Sequence, residues 1–354
     1  MHSSAGTNLD LHLNPSASER PPTVLAQDPA AFHRGLPGYR ATSLRSLPGI
    51  AASLGVGEVW AKIEDDRWGL PAFKVLGASW AVHRLLEERG GDAQLAALVS
   101  ATDGNHGRAV ARVARDRGLA ARIYVPDGTS ERRINDIRGE GASVLEVDGT
   151  YDDAVVRAAA SIGPADLLVA DTSDDPEDDV SPLIVEGYST IFTEVAEQHP
   201  RSFDTVVVGI GVGSLAAATV RFARSMQRER AGTPAVLGVE PVDAACVLTS
   251  LRAGRRTAVP GPHRSIMAGL NCGEPSAPTW PELSEGLNAV CAVDDADARE
   301  AVRVLRAEGI EIGFTGAAPV AGLLRLRRAG RLEAVVRNPG SASVLVVLTE
   351  GPTD

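Results

Sequence analysis

The chain has 354 residues, a formal net charge of -11 at pH 7, and a composition that is 44% hydrophobic but only 4% aromatic. This length is sufficient for two domains with a large buried core, and the composition is more typical of an α/β enzyme than of a β-sandwich. The acidity argues against nucleic acid and against an anionic membrane surface as partners.

The N-terminal part leads to a single lysine in an apolar stretch. Residues 1–23 lack hydrophobic periodicity, so we expect a mobile arm. The pattern at Glu58–Ile63 predicts a strand, and Ala72–His83 predicts a helix with Pro71 and Lys74 in its first turn. Desolvation in such a stretch would lower the pKa of Lys74 and make it a nucleophile for aldehydes. The alternative is an exposed lysine on an amphipathic helix.

The order of elements after this helix becomes regular. Strands alternate with helices, which predicts right-handed βαβ crossovers and parallel sheets. The predicted strands are Leu95–Ser100, Ala121–Val125, Ser143–Val147, Asp166–Ala170, Thr205–Ile210, Ala235–Glu240, Asn288–Val293 and Ser343–Leu348. The predicted helices are His106–Arg117, Glu131–Gly139, Tyr151–Ser161, Pro182–His199, Ser214–Arg230, Asp295–Glu308 and Pro319–Arg328. We expect a large domain from residues 24–80 and 200–354, and a small domain from residues 81–199.

Targeting signals are not evident. The N-terminus has no basic flank followed by an apolar region, and no apolar run approaches the length of a membrane span. Three scattered cysteines, Cys246, Cys272 and Cys291, are too few for a disulfide framework or a zinc site. We therefore expect a cytoplasmic protein without a bound metal.

A glycine-rich turn, Gly209-Ile-Gly-Val-Gly-Ser214, lies between a predicted strand and a predicted helix. Glycines there let a phosphate approach backbone N–H groups at the positive end of the helix dipole. A dinucleotide site, with Glu240 binding a ribose, is the alternative. That motif would have a third glycine where Ser214 stands, and its acid would lie closer to the loop.

Two carboxylates follow predicted strands at the sheet edge where open α/β sheets bind ligands. Asp103 lies in Ser100-Ala-Thr-Asp-Gly-Asn-His-Gly107, and Asp171 ends a later strand. Each of them could instead cap a helix or occupy a surface turn. An acidic run, Asp174–Asp179, comes next. Repulsion among its carboxylates would favour an open loop, and the run would raise the pKa of Asp171. Its negative charge would attract a substrate with a second amine.

Together these motifs resemble the layout of fold-type II pyridoxal 5'-phosphate (PLP) enzymes, the two-lobed α/β class typified by the tryptophan synthase β fold. Four stretches resemble the diaminopropionate ammonia-lyase family in particular. They are Gly69–Ser79, Thr102–Arg108, Met267–Ser276 and Thr349–Gly351.

The resemblance implies a role for each matched residue. Lys74 would hold the cofactor covalently, Asn105 would contact its phenolic oxygen, and Thr349 would face its pyridine nitrogen. The phosphate would be bound by Gly209, Gly211, Val212, Gly213 and Ser214. Asp103 and Asp171 would serve as bases for the two stereoisomers of the substrate. The implied protein is a homodimer that eliminates ammonia from 2,3-diaminopropionate and releases pyruvate and ammonia.

The sequence departs from the family pattern in segments expected to face the substrate. Thr172–Asp179 replaces a segment with a tryptophan and aromatic or basic residues, and Gly313–Ala317 replaces an E-S-G-A element. Three alternatives therefore remain open. They are a PLP-dependent serine or threonine dehydratase or β-replacement enzyme, an NAD(P)-dependent oxidoreductase, and a binding protein of this fold without turnover.

Overall fold

A computed structural model describes residues 9–18, 20–21, 23–91, 95–102, 104–226 and 233–352, without the side chain of residue 152. Within these ranges the strands form two sheets, one of seven strands and one of four. The fold is the two-lobed α/β arrangement that the sequence predicted, with mostly parallel sheets flanked by helices.

The strands are short and mostly buried. They are β1 (Asp10–Leu13), β2 (Leu44–Ser46), β3 (Glu58–Ile63), β4 (Ala97–Ala101), β5 (Ala120–Pro126), β6 (Ser143–Val147), β7 (Asp166–Leu168), β8 (Thr205–Gly209), β9 (Ala235–Pro241), β10 (Ala289–Val293) and β11 (Ser343–Leu348).

Twelve α-helices lie in the described ranges, together with short 3-10 turns. They are α1 (Pro29–Gly35), α2 (Pro48–Leu54), α3 (Lys74–Glu88), α4 (Asn105–Asp116), α5 (Glu131–Gly139), α6 (Tyr151–Ala160), α7 (Val180–Gln198), α8 (Ser214–Met226), α9 (Cys246–Ala253), α10 (Trp280–Gly286), α11 (Asp295–Ala307) and α12 (Phe314–Arg328). None of them is long and apolar enough to cross a membrane.

The seven-stranded sheet has the spatial order β1-β10-β9-β8-β11-β3-β2. Its five central strands are parallel, and the outer strands β1 and β2 are antiparallel to their neighbours. Helices α2, α11 and α12 pack on one face, and α7, α8 and α9 pack on the other. Because both faces are covered, the central strands are mostly hydrophobic, and the exceptions include Lys62 in β3 and Glu240 in β9.

The four-stranded sheet has the order β6-β5-β4-β7 and is entirely parallel. Helices α3, α4 and α5 cover one face, and α6 covers the other. The carboxyl ends of β4 and β7 therefore point the same way, toward the first turn of α3.

The strand and helix pattern is largely as predicted. The bounds of β3, α5, β6 and β11 are confirmed, and the other predicted elements differ from the structure by a few residues at their ends. Helix α12 starts five residues earlier than predicted, with Pro319 inside it. Helices α1, α2, α9 and α10 and the short strand β2 had not been predicted. The end expected for α8 at Arg230 lies outside the described residues.

The prediction of a mobile arm is wrong for part of its length. Asp10–Leu13 forms an edge strand antiparallel to β10, from Asp10 opposite Ala292 to Leu13 opposite Ala289. Leu9 and Leu11 pack against the core of the large sheet, which gives this segment the apolar contact that the polar sequence around it did not suggest. Residues 1–8 of the predicted arm lie outside the described part of the chain.

The first turn of α3 also differs from the prediction. The helix begins at Lys74, and Pro71 and Ala72 precede it. The Pro71 carbonyl accepts a hydrogen bond from Gly351 N, and Ala72 forms an isolated bridge with Glu350. The chain is therefore held extended against the C-terminal motif until Lys74, which brings that lysine beside the end of β11.

The two-domain division stays a proposal, with one residue range reconsidered. Strands β4 to β7 form the small sheet, in keeping with a small domain within residues 81–199. Helix α7, however, packs with Val206 and Val208 of the large sheet. We therefore propose that the large domain includes α7.

Candidate active site

A cavity lies between the two sheets, at the carboxyl ends of their strands. It is lined by the first turns of α3, α4 and α8 and by the residues that follow β4, β8 and β11. The position is the one expected for ligand binding in open α/β sheets. Its polar lining residues include Lys74, Asn105, Asp171 and Thr349.

Lys74 is the only lysine among the described residues that lines this cavity. The chain contains two lysines, and the other is Lys62. The Lys62 ammonium is fully buried, where it pairs with Glu194 at 2.6 Å and also donates to Gln198 Oε1 and the Thr42 carbonyl. The presence of only two lysines in the sequence is a further signal for Lys74.

Lys74 and Asp171 form an ion pair, with 2.7 Å between Nζ and Oδ2. Burial lowers the pKa of Lys74, but the attraction of the Asp171 carboxylate outweighs it, and the net pKa is above the ordinary value. The expected lowering of this pKa is therefore wrong for the paired lysine. An amine held in this way is charged and must lose a proton before it can attack an aldehyde.

Asp171 has two further neighbours besides Lys74. Tyr151 donates its hydroxyl to Oδ1 at 3.4 Å, and His106 Nδ1 lies 3.9 Å from Oδ2. Burial raises the pKa of Asp171, but His106 and Lys74 lower it further, and the net pKa is well below its usual range. The expectation of a raised pKa for Asp171 is therefore wrong.

His106 and Tyr151 were not among the predicted site residues. The His106 ring is fixed because Nε2 donates to the Val169 carbonyl at 2.9 Å, which leaves Nδ1 facing Asp171. Tyr151 begins the helix that follows β6. Its place after a parallel strand was a usable signal, because such positions meet at one edge of the sheet.

The acidic run after Asp171 has structural partners. Asp174 pairs with Arg256 at 2.7 Å, and Arg256 also pairs with Glu274. Asp178 accepts a hydrogen bond from Ser181 N at the start of α7. These contacts attach the acidic run to neighbouring segments. The prediction of an open loop had not included them.

Asn105 and Thr349 line the cavity on the side of the C-terminal motif. Asn105 Nδ2 donates to Glu350 Oε1 at 2.9 Å, so α4 is connected to the end of β11. Thr349 is buried, and its hydroxyl has no hydrogen-bond partner among the described residues. A buried unpaired hydroxyl is costly, so this group fits a ligand atom that completes its hydrogen bonding.

The glycine turn lies at the N-terminus of the 13-residue helix α8. Gly209, Gly211, Val212, Gly213 and Ser214 all line the cavity. A Cβ at Gly211 would lie 3.1 Å from both Cys272 Sγ and the Gly269 carbonyl oxygen, and a Cβ at Gly213 would lie 2.4 Å from Leu283 Cδ1. Glycines thus keep open a cradle with the backbone polarity that a phosphate requires.

Ser214 has a second role that the sequence did not indicate. Its hydroxyl donates to the Asp171 carbonyl at 3.1 Å. The side chain therefore connects the glycine turn to the Asp171 segment, and its backbone N–H remains the group suited to a phosphate.

Glu240 is placed differently from the expectation of a cofactor ligand. It does not line the cavity, and its carboxylate accepts hydrogen bonds from Val247 N and Leu248 N at 2.8 Å each. Burial raises the pKa of Glu240 to about 7, although these two N–H groups oppose the rise. Its position caps α9 and does not suit a ribose ligand.

Asp103, the other predicted carboxylate, lies outside the described residues. Its neighbours Thr102, Gly104 and Asn105 line the cavity. Thr102 Oγ1 accepts a hydrogen bond from Gly104 N at 2.9 Å, so the threonine side chain stabilises the turn that precedes α4.

The fold and these groups match the requirements of PLP: a reactive amine, an unpaired buried hydroxyl and a glycine turn at a helix N-terminus. They define a candidate PLP enzyme of the fold-type II class. A family model described as "Pyridoxal-phosphate dependent enzyme" matches residues 36–350, and the chain therefore belongs to that family.

Relatives that match most of the chain are diaminopropionate ammonia-lyases. The chain is 33% identical to diaminopropionate ammonia-lyase of Salmonella typhimurium, over 91% of this chain and 88% of the relative. It is 31% identical to the enzyme of that name in Escherichia coli K12, over 91% and 87%. A crystal structure of the Escherichia coli enzyme with an aminoacrylate–PLP azomethine intermediate aligns with a TM-score of 0.87 at 29% identity, over 99% of this chain and 95% of that one.

Proposed function

We propose that the chain catalyses the PLP-dependent α,β-elimination of ammonia from 2,3-diaminopropionate, with release of pyruvate and ammonia. The observation that carries this proposal is the Lys74–Asp171 pair, which places an amine and a base 2.7 Å apart in the cavity. The similarity to diaminopropionate ammonia-lyases along the whole chain supports it.

The residues matched to the family motifs have proposed roles in binding the cofactor. Lys74 holds the cofactor, Thr349 hydrogen-bonds to its pyridine nitrogen, and Asn105 contacts its phenolic oxygen. The phosphate is bound by the backbone at Gly209, Gly211, Val212, Gly213 and Ser214. When bound, PLP supplies the electron withdrawal that makes the substrate α-proton acidic and lets the β-amine depart.

Asp171 is the proposed base for one stereoisomer. While the Lys74 ammonium lies 2.7 Å away, Asp171 is a weak base, because the charge favours the carboxylate. Loss of that charge would remove one of the two groups that lower the pKa of Asp171, His106 being the other, and would raise its basicity. Asp103 is the proposed base for the other stereoisomer.

Product analysis tests the reaction. Purified enzyme is supplied with D- or L-diaminopropionate, serine or threonine, and pyruvate or 2-oxobutyrate and ammonia are measured; Lys74→Ala serves as the inactive control. We expect diaminopropionate to be turned over at least about tenfold faster than serine or threonine. Faster turnover of serine or threonine would instead support a dehydratase.

Solvent deuterium exchange at Cα tests the two bases. We expect Asp103→Asn to abolish exchange with one enantiomer and Asp171→Asn to affect the other. Asp174→Asn is the matched control, because that carboxylate follows Asp171 closely but pairs with Arg256. Exchange of both enantiomers at the parent rate in Asp103→Asn would leave Asp103 only a structural role.

We also propose a cytoplasmic homodimer. All three cysteines are free, which suits a reducing compartment. The dimer follows from the family resemblance, and light scattering tests it: a dimer has twice the chain mass of 36.9 kDa.

A further inference from the structure

Tyr188 is a buried polar residue that the proposed mechanism does not use. It lies on α7 and has no exposed surface. Its ring meets the Phe73 ring edge-on, with 4.7 Å between centroids. Its hydroxyl makes no hydrogen bond that meets ordinary distance and angle limits within the described residues. Since buried hydroxyls are normally paired, this one needs a partner, and Lys74 is the neighbouring side chain placed to interact with it.

Two glycines place Tyr188 against the first turn of α3. A Cβ at Gly77 would lie 2.6 Å from Tyr188 Cε1, and a Cβ at Gly187 would lie 2.5 Å from the Leu76 carbonyl oxygen. The two helices therefore approach closely because neither residue has a side chain. Gly77 follows Lys74 by three residues, so both lie on the same face of α3, and Tyr188 packs on that face.

The charges around Tyr188 keep its phenol neutral. Burial raises the pKa of Tyr188 well above its ordinary value, and the Lys74 ammonium opposes that rise while Asp171 adds to it. In the paired arrangement Asp171, Tyr188 and Cys272 all raise the pKa of Lys74, but Tyr188 could do so only as an ionised phenolate, which burial disfavours. A neutral phenol is a hydrogen-bond donor, and a neutral amine has a lone pair that accepts.

We propose that Tyr188 is a positioning residue for Lys74, whose hydroxyl donates a hydrogen bond to the neutral amine once that amine is no longer paired with Asp171. The hydrogen bond stabilises the uncharged lysine, which is the form that attacks an aldehyde. This inference rests on the proposed role of Lys74 as the residue that holds PLP.

The test uses the full-length protein after removal of its cofactor. The rate at which PLP attaches to Lys74 is measured by absorbance as a function of pH in the parent, in Tyr188→Phe and in Tyr124→Phe. Tyr124 is the matched control, because it is a buried tyrosine of the small sheet. Since the Tyr188 hydroxyl has no partner, its removal leaves no group unsatisfied, and we expect the melting temperature of Tyr188→Phe to be unchanged or higher.

In Tyr188→Phe we expect attachment to be about fivefold to tenfold slower below the midpoint of the profile, with the midpoint shifted to higher pH, whereas Tyr124→Phe matches the parent. Coinciding profiles for the parent and Tyr188→Phe would overturn the proposal. A failure of the proposed function is distinguishable, because it appears in the parent as absence of PLP attachment or of diaminopropionate turnover.

Discussion

Lys74 and Asp171 form a partly buried ion pair across the cavity, although 97 positions separate them in the sequence. The pair makes each residue's protonation depend on the other. Burial alone would lower the pKa of the lysine and raise that of the aspartate. The pairing opposes both effects, with His106 also lowering the pKa of Asp171, and both net directions are reversed.

Asp171→Asn is therefore expected to lower the pKa of Lys74 below its ordinary value, because the strongest group that opposes burial is then removed. The measurement is acetylation of the cofactor-free protein over a pH series, followed by mass spectrometry of the Lys74 peptide. We expect the half-labelling pH to fall in Asp171→Asn and to stay at the parent value in Asp174→Asn. Equal titration of all three proteins would show that the ion pair does not control the amine.

Gly211→Asp is expected to abolish cofactor retention. The new side chain would start 3.1 Å from Cys272 Sγ and place a carboxylate where backbone N–H groups meet the phosphate. PLP content is measured by absorbance after gel filtration. The control is Gly340→Asp, which adds the same charge at an exposed position with nothing within 4 Å of a Cβ. Full PLP occupancy in Gly211→Asp would place the phosphate elsewhere.

Glu240→Gln is expected to keep PLP and to change the pH dependence of stability. The folded-state pKa of Glu240 is raised from 4.5 to about 7 by burial, so its contribution to stability is present below pH 4.5 and is lost as the pH rises through 7. We expect the parent to lose about 2–3 kcal/mol relative to the variant between these limits. Urea unfolding at pH 4.5, 6 and 7.5 measures this, and loss of PLP from the variant would restore Glu240 as a cofactor ligand.

His33 is expected to make the protein acid-sensitive. It is fully buried, where Nδ1 contacts Thr190 Oγ1 and Nε2 contacts the Leu76 carbonyl, and burial lowers its pKa from 6.5 to about 3. The unfolded chain then binds the proton more readily, so stability present above pH 6.5 is lost as the pH falls toward 3.

Comparison with His33→Gln isolates this contribution. Between pH 7 and pH 5 we expect the parent to lose about 2 kcal/mol more of its unfolding free energy than the variant. If the two proteins lose the same amount, His33 is not the group that titrates.

Much of the fold was predictable because its signals are local. The strand Glu58–Ile63 and the helix Glu131–Gly139 follow from residue periodicity and turn residues, and both have the predicted bounds. The edge strand Asp10–Leu13 was not predictable, because it depends on pairing with residues 289–292. A strand at the edge of a sheet needs less apolar sequence of its own.

The candidate site was predictable in its residue types and less so in its contacts. The motifs gave Lys74, Asn105, Thr349 and the glycine turn, all of which line one cavity. The ion pair of Lys74 depends on Asp171, which is distant in the sequence. The capping position of Glu240 depends on a turn that brings α9 back to the sheet. Periodicity carries no information on such contacts.

Reduction with borohydride tests the central claim, that Lys74 holds PLP, most directly. The holoenzyme is reduced and digested, and the modified peptide is sequenced by mass spectrometry. With only Lys62 and Lys74 in the chain, the assignment is unambiguous. We predict a phosphopyridoxyl group on the Lys74 peptide and an unmodified Lys62, which is engaged by Glu194. Modification of Lys62, or an absence of label on Lys74 in a protein that contains PLP, would contradict the account.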